Sequence, residues 1–258
     1  MRPAFDCIPF RDVEAAERSL AALLGTERPH LADSLASALE ESPDPNLALV
    51  RLERYLASSR TPKLDLDLMA AAPRFARLVI IVLGQSHFLT DIVCRNPEYM
   101  TWLWEEVDLE LTPPRADLVR EALAVIETFG AFDARCEALR RFRRREILRI
   151  AARDIAAHCP VASVADDLSN FADAACEAAI RCAQLELGPR YGKPIASTDG
   201  REAGFVALGM GKLGARELNF SSDIDLIFLF DEGGQTSGGA SSSVSNSEYF
   251  QKLGERMI

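Results

Sequence analysis

Two aspartates, Asp223 and Asp225, stand one residue apart at the head of an apolar run that continues Leu226-Ile227-Phe228-Leu229-Phe230. The run reads as a strand from Asp223 to Phe230. Successive strand side chains point to opposite faces, so the two acids share one face and Ile224 and Leu226 share the other. Carboxylates at that spacing repel by about 1–4 kcal/mol, depending on local polarity. A strand selected only for stability gains nothing from them. A divalent cation removes the penalty, and oxygen ligands with retained water suit Mg²⁺, which makes Asp223 and Asp225 candidate metal ligands.

A glycine-rich turn lies just upstream, Gly209-Met210-Gly211-Lys212-Leu213-Gly214, after a short apolar run, Gly204 to Leu208, with strand propensity. Glycines at 209, 211 and 214 let backbone amides approach phosphate oxygens closely, and Lys212 can add a point charge. Ser221 and Ser222 place hydroxyls beside the acids. Paired acids alone are common at the start of an exposed strand. Coupled to a glycine turn that follows a strand, they point to metal and phosphate together.

Two other glycine motifs compete. Gly209, Gly211 and Gly214 spell GxGxxG, and Asp231 lies about where a ribose-binding acid would sit, which is the dinucleotide reading. The helical piece after the glycines, Ala215 to Leu218, is short for that motif. Acids at 223 and 225 would also open a parallel strand that should be buried on both faces. A Walker A loop fails outright, because Gly211-Lys212 is followed by Leu213 instead of Ser or Thr.

The elements that must position these residues are mostly helical. Ala, Leu, Arg and Glu dominate residues 1–198, with helices expected near 11–24, 31–41, 45–58, 73–95, 97–106, 115–129, 133–157 and 165–187. Breaks fall at Ser42-Pro43-Asp44-Pro45 and at Thr112-Pro113-Pro114, and Gly188-Pro189 closes the last helix. Asp44 or Asn46 caps a helix that buries Leu47, Val50, Leu52 and Leu56. Residues 199–258 supply the strands. Within them, the Gly/Ser-rich stretch 233–245 buries too little to order itself, and a helix resumes at Asn246 or Ser247. The fold class is α+β, mostly α, and no fixed-period repeat supports a solenoid.

Composition removes several function classes. The chain has 258 residues, 48% of them hydrophobic, and a formal net charge of −10. That balance argues against nucleic-acid binding, which needs a basic surface. The longest apolar stretch, Leu78 to Leu83, is far too short to span a bilayer, and MRPAFDCIPF lacks the core of a signal peptide. Six scattered cysteines with no CxxC pair read as reduced thiols of a cytoplasmic protein. Three histidines far apart offer no metal site. Seven arginines from Arg140 to Arg153 share one helix and read as a solvated face paired with acids such as Glu137 and Glu146. The alternative is contact with an anionic substrate or partner, above all through Arg140–Arg145. Tyr99, Met100, Trp102 and Trp104 read as core packing.

Gly211 through Asp223-Ile224-Asp225-Leu226 resembles the signature of the nucleotidyltransferase superfamily, although that signature has Ser or Gly where this chain has Lys212. The longer string GMGKLGARELNFSSDIDLIF is similar to the glutamine synthetase adenylyltransferase/adenylyl-removing family, and Asn219 to Asp225 more to its adenylyl-removing half. Leu139 to Ala151 also resembles that family, and the likeness covers roughly residues 75–258.

The resemblance implies a helical region, 1–198, followed by a partial nucleotidyltransferase core of polymerase-beta-like α/β fold, 199–258. It implies Mg²⁺ on Asp223 and Asp225, and nucleotide phosphates seated by Gly209, Gly211, Lys212, Gly214, Ser221 and Ser222. The implied reaction removes AMP from a glutamine synthetase tyrosine by phosphorolysis to ADP. Implied partners are glutamine synthetase, ATP, ADP and phosphate, with a PII-type signalling protein as regulator. The superfamily also uses a third carboxylate on a later strand. After Asp225 the chain has only Asp231, Glu232, Glu248 and Glu255, none placed on a further strand by its surroundings. The chain therefore reads as a piece cut before that residue, expected to hold metal weakly and turn over little. The other readings are a nicotinamide-dependent oxidoreductase and a non-catalytic helical interaction module.

Overall fold

The structure, a computed structural model, describes residues 3–25 and 29–258. It divides into two compact units, residues 1–111 with 151–159, and residues 112–150 with 160–258.

The first unit is helical: a 3₁₀ turn Pro3–Phe5, then α1 Val13–Leu24, α2 Pro29–Glu40, α3 Pro45–Ser58, α4 Pro62–Ala71, α5 Pro73–Gln85, α6 His87–Arg95 and α7 Glu98–Glu105. Asp44 caps α3 by accepting from the Leu47 amide at 3.0 Å, and Pro45 supplies the preset first turn. That helix buries Ala48, Leu49, Leu52, Tyr55 and Leu56, while Leu47 and Val50 face solvent. The apolar stretch near 73–95 is two helices, because Ser86 takes an extended backbone and its hydroxyl caps α6 through the Leu89 amide. Leu78 to Leu83 is buried core, as are Tyr99 and Met100, and Trp104 packs against Phe75. The sequence reading passed over α4, which has three acids and bases in ten residues and a weak apolar stripe. No helix among the described residues is long and apolar enough to cross a membrane.

The second unit carries α8 Arg115–Glu127, residues 132–150 of α9 Phe132–Ala157, α10 Val161–Tyr191, β1 Gly192–Ala196, β2 Phe205–Gly209, α11 Gly211–Ala215, β3 Leu226–Phe230, β4 Gly234–Gly238 and α12 Asn246–Met257. Helix α10 does not stop at Gly188-Pro189. A proline costs one backbone hydrogen bond, which the last turn of a 31-residue helix tolerates, and the chain leaves the helix at Gly192 with φ +80°.

Strands β1 and β4 pair antiparallel, with Pro194 opposite Thr236. The Gly/Ser-rich stretch is thus ordered, and backbone hydrogen bonding in place of apolar burial does the ordering. Buried Thr236 accepts from the Val244 amide at 3.1 Å, and Ser243 Oγ donates to the Thr236 carbonyl at 2.6 Å. Asn246 Nδ2 donates to the carbonyls of Ile195 and Glu232. Ser245 caps α12 through the Glu248 amide, and that helix lays Tyr249, Phe250 and Leu253 into a core with Ala183, Leu187, Tyr191 and Ala203.

Strands β2 and β3 form a second antiparallel pair, Phe205 opposite Phe230 and Gly209 opposite Leu226. Phe205 and Phe230 stack on Phe250 at 5.4 and 5.1 Å, which seats one face of the pair on α12. At the Phe205 end the ladder is clamped. Asp231 accepts the Gly204 amide at 2.8 Å and pairs with Arg201 at 2.7 Å. Arg201 holds the Asp231 carboxyl below the usual carboxylate range. A depressed folded-state pKa gives stability that is present above the unfolded value and lost as pH falls through the folded one. The melting-temperature gap between wild type and Asp231→Asn is therefore expected to hold above about pH 5. It should close as pH falls below about 3.9, the ordinary aspartate value. A pH series of thermal melts checks this.

Candidate functional site

At the opposite end of the β2–β3 ladder lie the glycine turn and the paired acids. Strand β3 begins at Leu226, so Asp223 and Asp225 sit in the irregular segment just before it and not on the strand. The reason is local: the loop at 219–222 holds itself closed. Asn219 Oδ1 accepts from the Ser221 amide and the Ser221 hydroxyl, and Ser222 Oγ accepts the Asn219 amide. Ser221 and Ser222 thus shape the approach to the acids, and Ser221 commits its hydroxyl proton to Asn219.

The apolar half of the expected alternation is seen without the strand. Ile224 and Leu226 both line one cleft of about 580 Å³, edged by Arg140, Arg143 and Arg256, and the two acids do not line it. Both acids are exposed, and neither carboxylate has a hydrogen-bond or ion-pair partner among the described residues. Cys176 and Cys182 also face the cleft, and burial pushes both thiols up to about 11, so they stay protonated at neutral pH.

The turn meets Asp225 directly. The Met210 amide donates to the Asp225 carbonyl at 2.8 Å, one step beyond the Gly209–Leu226 pair. Gly211 has φ +52°, and a Cβ there would lie 3.5 Å from Asp225 Oδ2, so the turn backbone and that carboxylate are neighbours. Gly209 and Gly214 are glycines for another reason. A Cβ at 214 would meet the Gly209 carbonyl oxygen at 2.6 Å, and one at 209 would meet the Leu213 side chain at 2.8 Å. The turn folds onto itself over buried Leu213. Lys212 is exposed and has no ion-pair partner among the described residues.

Two oxygen-donor side chains free of competing partners fit a hard cation that keeps several waters and takes further oxygens from a phosphate. No group of three or more His, Cys, Asp or Glu side chains suited to a metal occurs among the described residues. The later acids are engaged elsewhere. Asp231 is at the far end of the ladder, Glu232 binds the Thr198 amide and hydroxyl, Glu248 pairs with Lys252, and Glu255 accepts from Gln251 at the edge of the cleft that Ile224 and Leu226 line. The position of Asp231 and the antiparallel pairing of the flanking strands both disagree with the parallel dinucleotide motif, whose ribose acid must stand near the glycine turn.

The sequence reading missed Arg216, Asp166 and Asn170. Arg216 ends α11 with φ +60°, and its guanidinium reaches Asp166 and Asn170 on α10, each at 2.7 Å. The sequence offered no signal for them, since the helical piece expected at Ala215 to Leu218 is α11 at Gly211–Ala215, which leaves Arg216 as its C-cap. The arginines of α9 meet the expectation in part. Arg140, Arg141 and Arg143 are exposed, Arg140 and Arg144 pair with half-exposed Glu137, and Arg145 pairs with Glu121 and Glu146. Arg149 departs from it, buried between Glu146 and Asp167.

Comparison with known proteins places this geometry in context. A family model described as glutamate-ammonia ligase adenylyltransferase matches residues 75–258. The chain is similar to the bifunctional glutamine synthetase adenylyltransferase/adenylyl-removing enzyme of Pseudomonas putida, 35% identical over 210 residues, covering 81% of this chain and 21% of that protein. The protein of the same name from Thioalkalivibrio sulfidiphilus is 31% identical over 252 residues, covering 95% and 26%. The Nitrosococcus oceani protein is 47% identical over 120 residues, covering 46% and 12%. The chain thus spans roughly an eighth to a quarter of the length of these three relatives.

Proposed function

The chain belongs to the glutamate-ammonia ligase adenylyltransferase family, and from that premise we propose that its paired acids and glycine turn are a metal-dependent nucleotide site serving removal of AMP from a glutamine synthetase tyrosine. Residues 199–258 would begin a nucleotidyltransferase core of polymerase-beta-like fold, preceded by the helical region 1–198. The observation that carries the reading is the closeness of the Asp225 carboxylate to the Gly211 backbone at one ladder end.

In the reaction, an oxygen of inorganic phosphate bonds to the phosphorus of the AMP group. The bond from that phosphorus to the tyrosine oxygen breaks, the tyrosine oxygen takes a proton, and ADP leaves. Asp223 and Asp225 would hold Mg²⁺, which when bound supplies positive charge for the phosphate oxygens. Gly209, Gly211 and Gly214 keep the turn backbone close to Asp225, and Lys212 brings a mobile positive charge to the phosphates. Ser221 and Ser222 hold the loop that delivers the acids. Glutamine synthetase would be the protein substrate, in the cytoplasm, with a PII-type protein as regulator. Turnover by this chain is expected to be low, since no third carboxylate groups with the pair among the described residues.

A thermal-shift titration tests the reading. ADP or ATP should stabilise the chain only with Mg²⁺, and the response should vanish in Asp223→Asn/Asp225→Asn. Stabilisation by NAD without metal would favour the oxidoreductase reading instead. No response to any nucleotide would leave a helical interaction module.

A further inference from the structure

We infer that Arg216 is a positioning residue: its guanidinium fixes the glycine turn to α10 and so sets the turn backbone against Asp225 for nucleotide phosphates. The inference rests on the reading of the turn as a phosphate seat.

Three observations carry it. The first is conformational. Among the described residues only His158 and Arg216 have positive φ without being glycine. The left-handed region disfavours side chains, and glycine is the ordinary residue at a helix C-cap. Arg216 closes α11 in that conformation, with its amide donating to the Leu213 carbonyl at 3.1 Å. A strained residue persists where its surroundings hold it, so the guanidinium must earn the position by its contacts.

The second observation is what those contacts are. Nε donates to Asp166 Oδ1 at 2.7 Å, and Nη2 donates to Asn170 Oδ1 at 2.7 Å and to the Asp166 carbonyl at 3.2 Å. Asp173 lies 4.0 Å away and is itself held by Arg115 of α8 at 2.9 Å. A planar fork that engages a carboxylate, an amide and a carbonyl at once fixes direction as well as distance, which a lysine cannot do. Isolated exposed pairs add little stability, so the value of this set lies in its geometry.

The third is where the anchor leads. Arg216 is separated from Gly211 by the single short helix α11. The Glu217 amide donates to the Lys212 carbonyl at 2.7 Å, and the Gly214 amide to the Met210 carbonyl at 3.1 Å. Met210 in turn donates to the Asp225 carbonyl. Hydrogen bonds within Met210–Glu217 therefore join the Arg216 clamp to the Gly211–Asp225 approach.

The test uses Arg216→Gly, Arg216→Lys and Arg216→Ala in this chain. Glycine relieves the backbone conformation while removing the guanidinium, so its melting temperature should stay near wild type. Amide hydrogen exchange over residues 210–217 should nevertheless accelerate at least about tenfold in Arg216→Gly, because that opening is local. Affinity for ADP with Mg²⁺ should fall at least about tenfold, with partial recovery in Arg216→Lys and with Mn²⁺ affinity at the paired acids unchanged. Unchanged exchange in Arg216→Gly would overturn the anchoring. Faster exchange with unchanged ADP affinity would overturn the positioning role and leave a structural clamp. If wild type binds no ADP, the nucleotide reading falls and takes the positioning role with it, while faster exchange in the variant would still identify the anchor.

Discussion

Replacing Arg149 by methionine is expected to lower the unfolding free energy by about 3–5 kcal/mol, the usual cost of removing one partner from a buried ion pair. The Arg149 guanidinium lies between two carboxylates. It grips Asp167 with two bonds of 2.8 and 2.6 Å and donates Nε to Glu146 at 2.7 Å. Its side chain is 4% exposed, and those of Glu146 and Asp167 are 2% and 0% exposed. Burial works against the guanidinium charge, but the bonds to Asp167 and the charge of Glu146 outweigh it and hold the group above its ordinary pKa. Methionine would fill similar volume and take the shared cation from between two buried carboxylates, while Arg145 stays 3.2 Å from Glu146. The combined Arg149→Met/Glu146→Gln/Asp167→Asn variant should recover most of the loss, since the cost is buried charge deprived of the Arg149 bonds and not a cavity. Urea unfolding of both variants decides this. A single variant that loses less than about 1 kcal/mol, the size of an exposed pair, would mean the network is wet.

Gly214→Val is expected to abolish the Mg²⁺-dependent response to ADP while leaving most of the fold. A Cβ at 214 would lie 2.6 Å from the Gly209 carbonyl oxygen, which is backbone and cannot swing aside. The turn must open, and opening moves Gly211 away from Asp225. Because the clash is confined to a five-residue helix and its flanks, the helical core should still melt cooperatively. Gly188→Ala is the control. Position 188 lies within α10 and a Cβ there meets open space, so that variant should bind ADP as wild type does and be slightly more stable. Isothermal titration with ADP and Mg²⁺ compares the three proteins. Unaltered affinity in Gly214→Val would show that the turn is not part of the nucleotide site.

The helices were legible wherever composition and breakers agreed. Asp44 capped the helix expected of it, and the apolar run from Leu78 to Leu83 was buried. Ser86 was not read as a break, because a serine inside an apolar stretch gives no signal until its hydroxyl finds the Leu89 amide. The ordering of residues 234–238 was hidden for a related reason. Composition reports apolar burial, whereas β4 is held by backbone bonds to a strand about forty residues earlier. The glycine turn and the paired acids were visible as types and spacing. Their meeting at one ladder end needed the antiparallel register of β2 and β3. Arg216 was invisible, since a positive φ and a contact fifty residues away leave no mark in local sequence.

Direct counting of bound metal probes the shared-cation account most closely. Electron paramagnetic resonance of free Mn²⁺, titrated into the chain with ADP present, should report ion uptake by wild type. Asp223→Asn/Asp225→Asn should show none above a no-protein ADP control. Equal uptake by the double variant and the wild type would contradict the account, because the cation would then rest on ligands other than these two carboxylates.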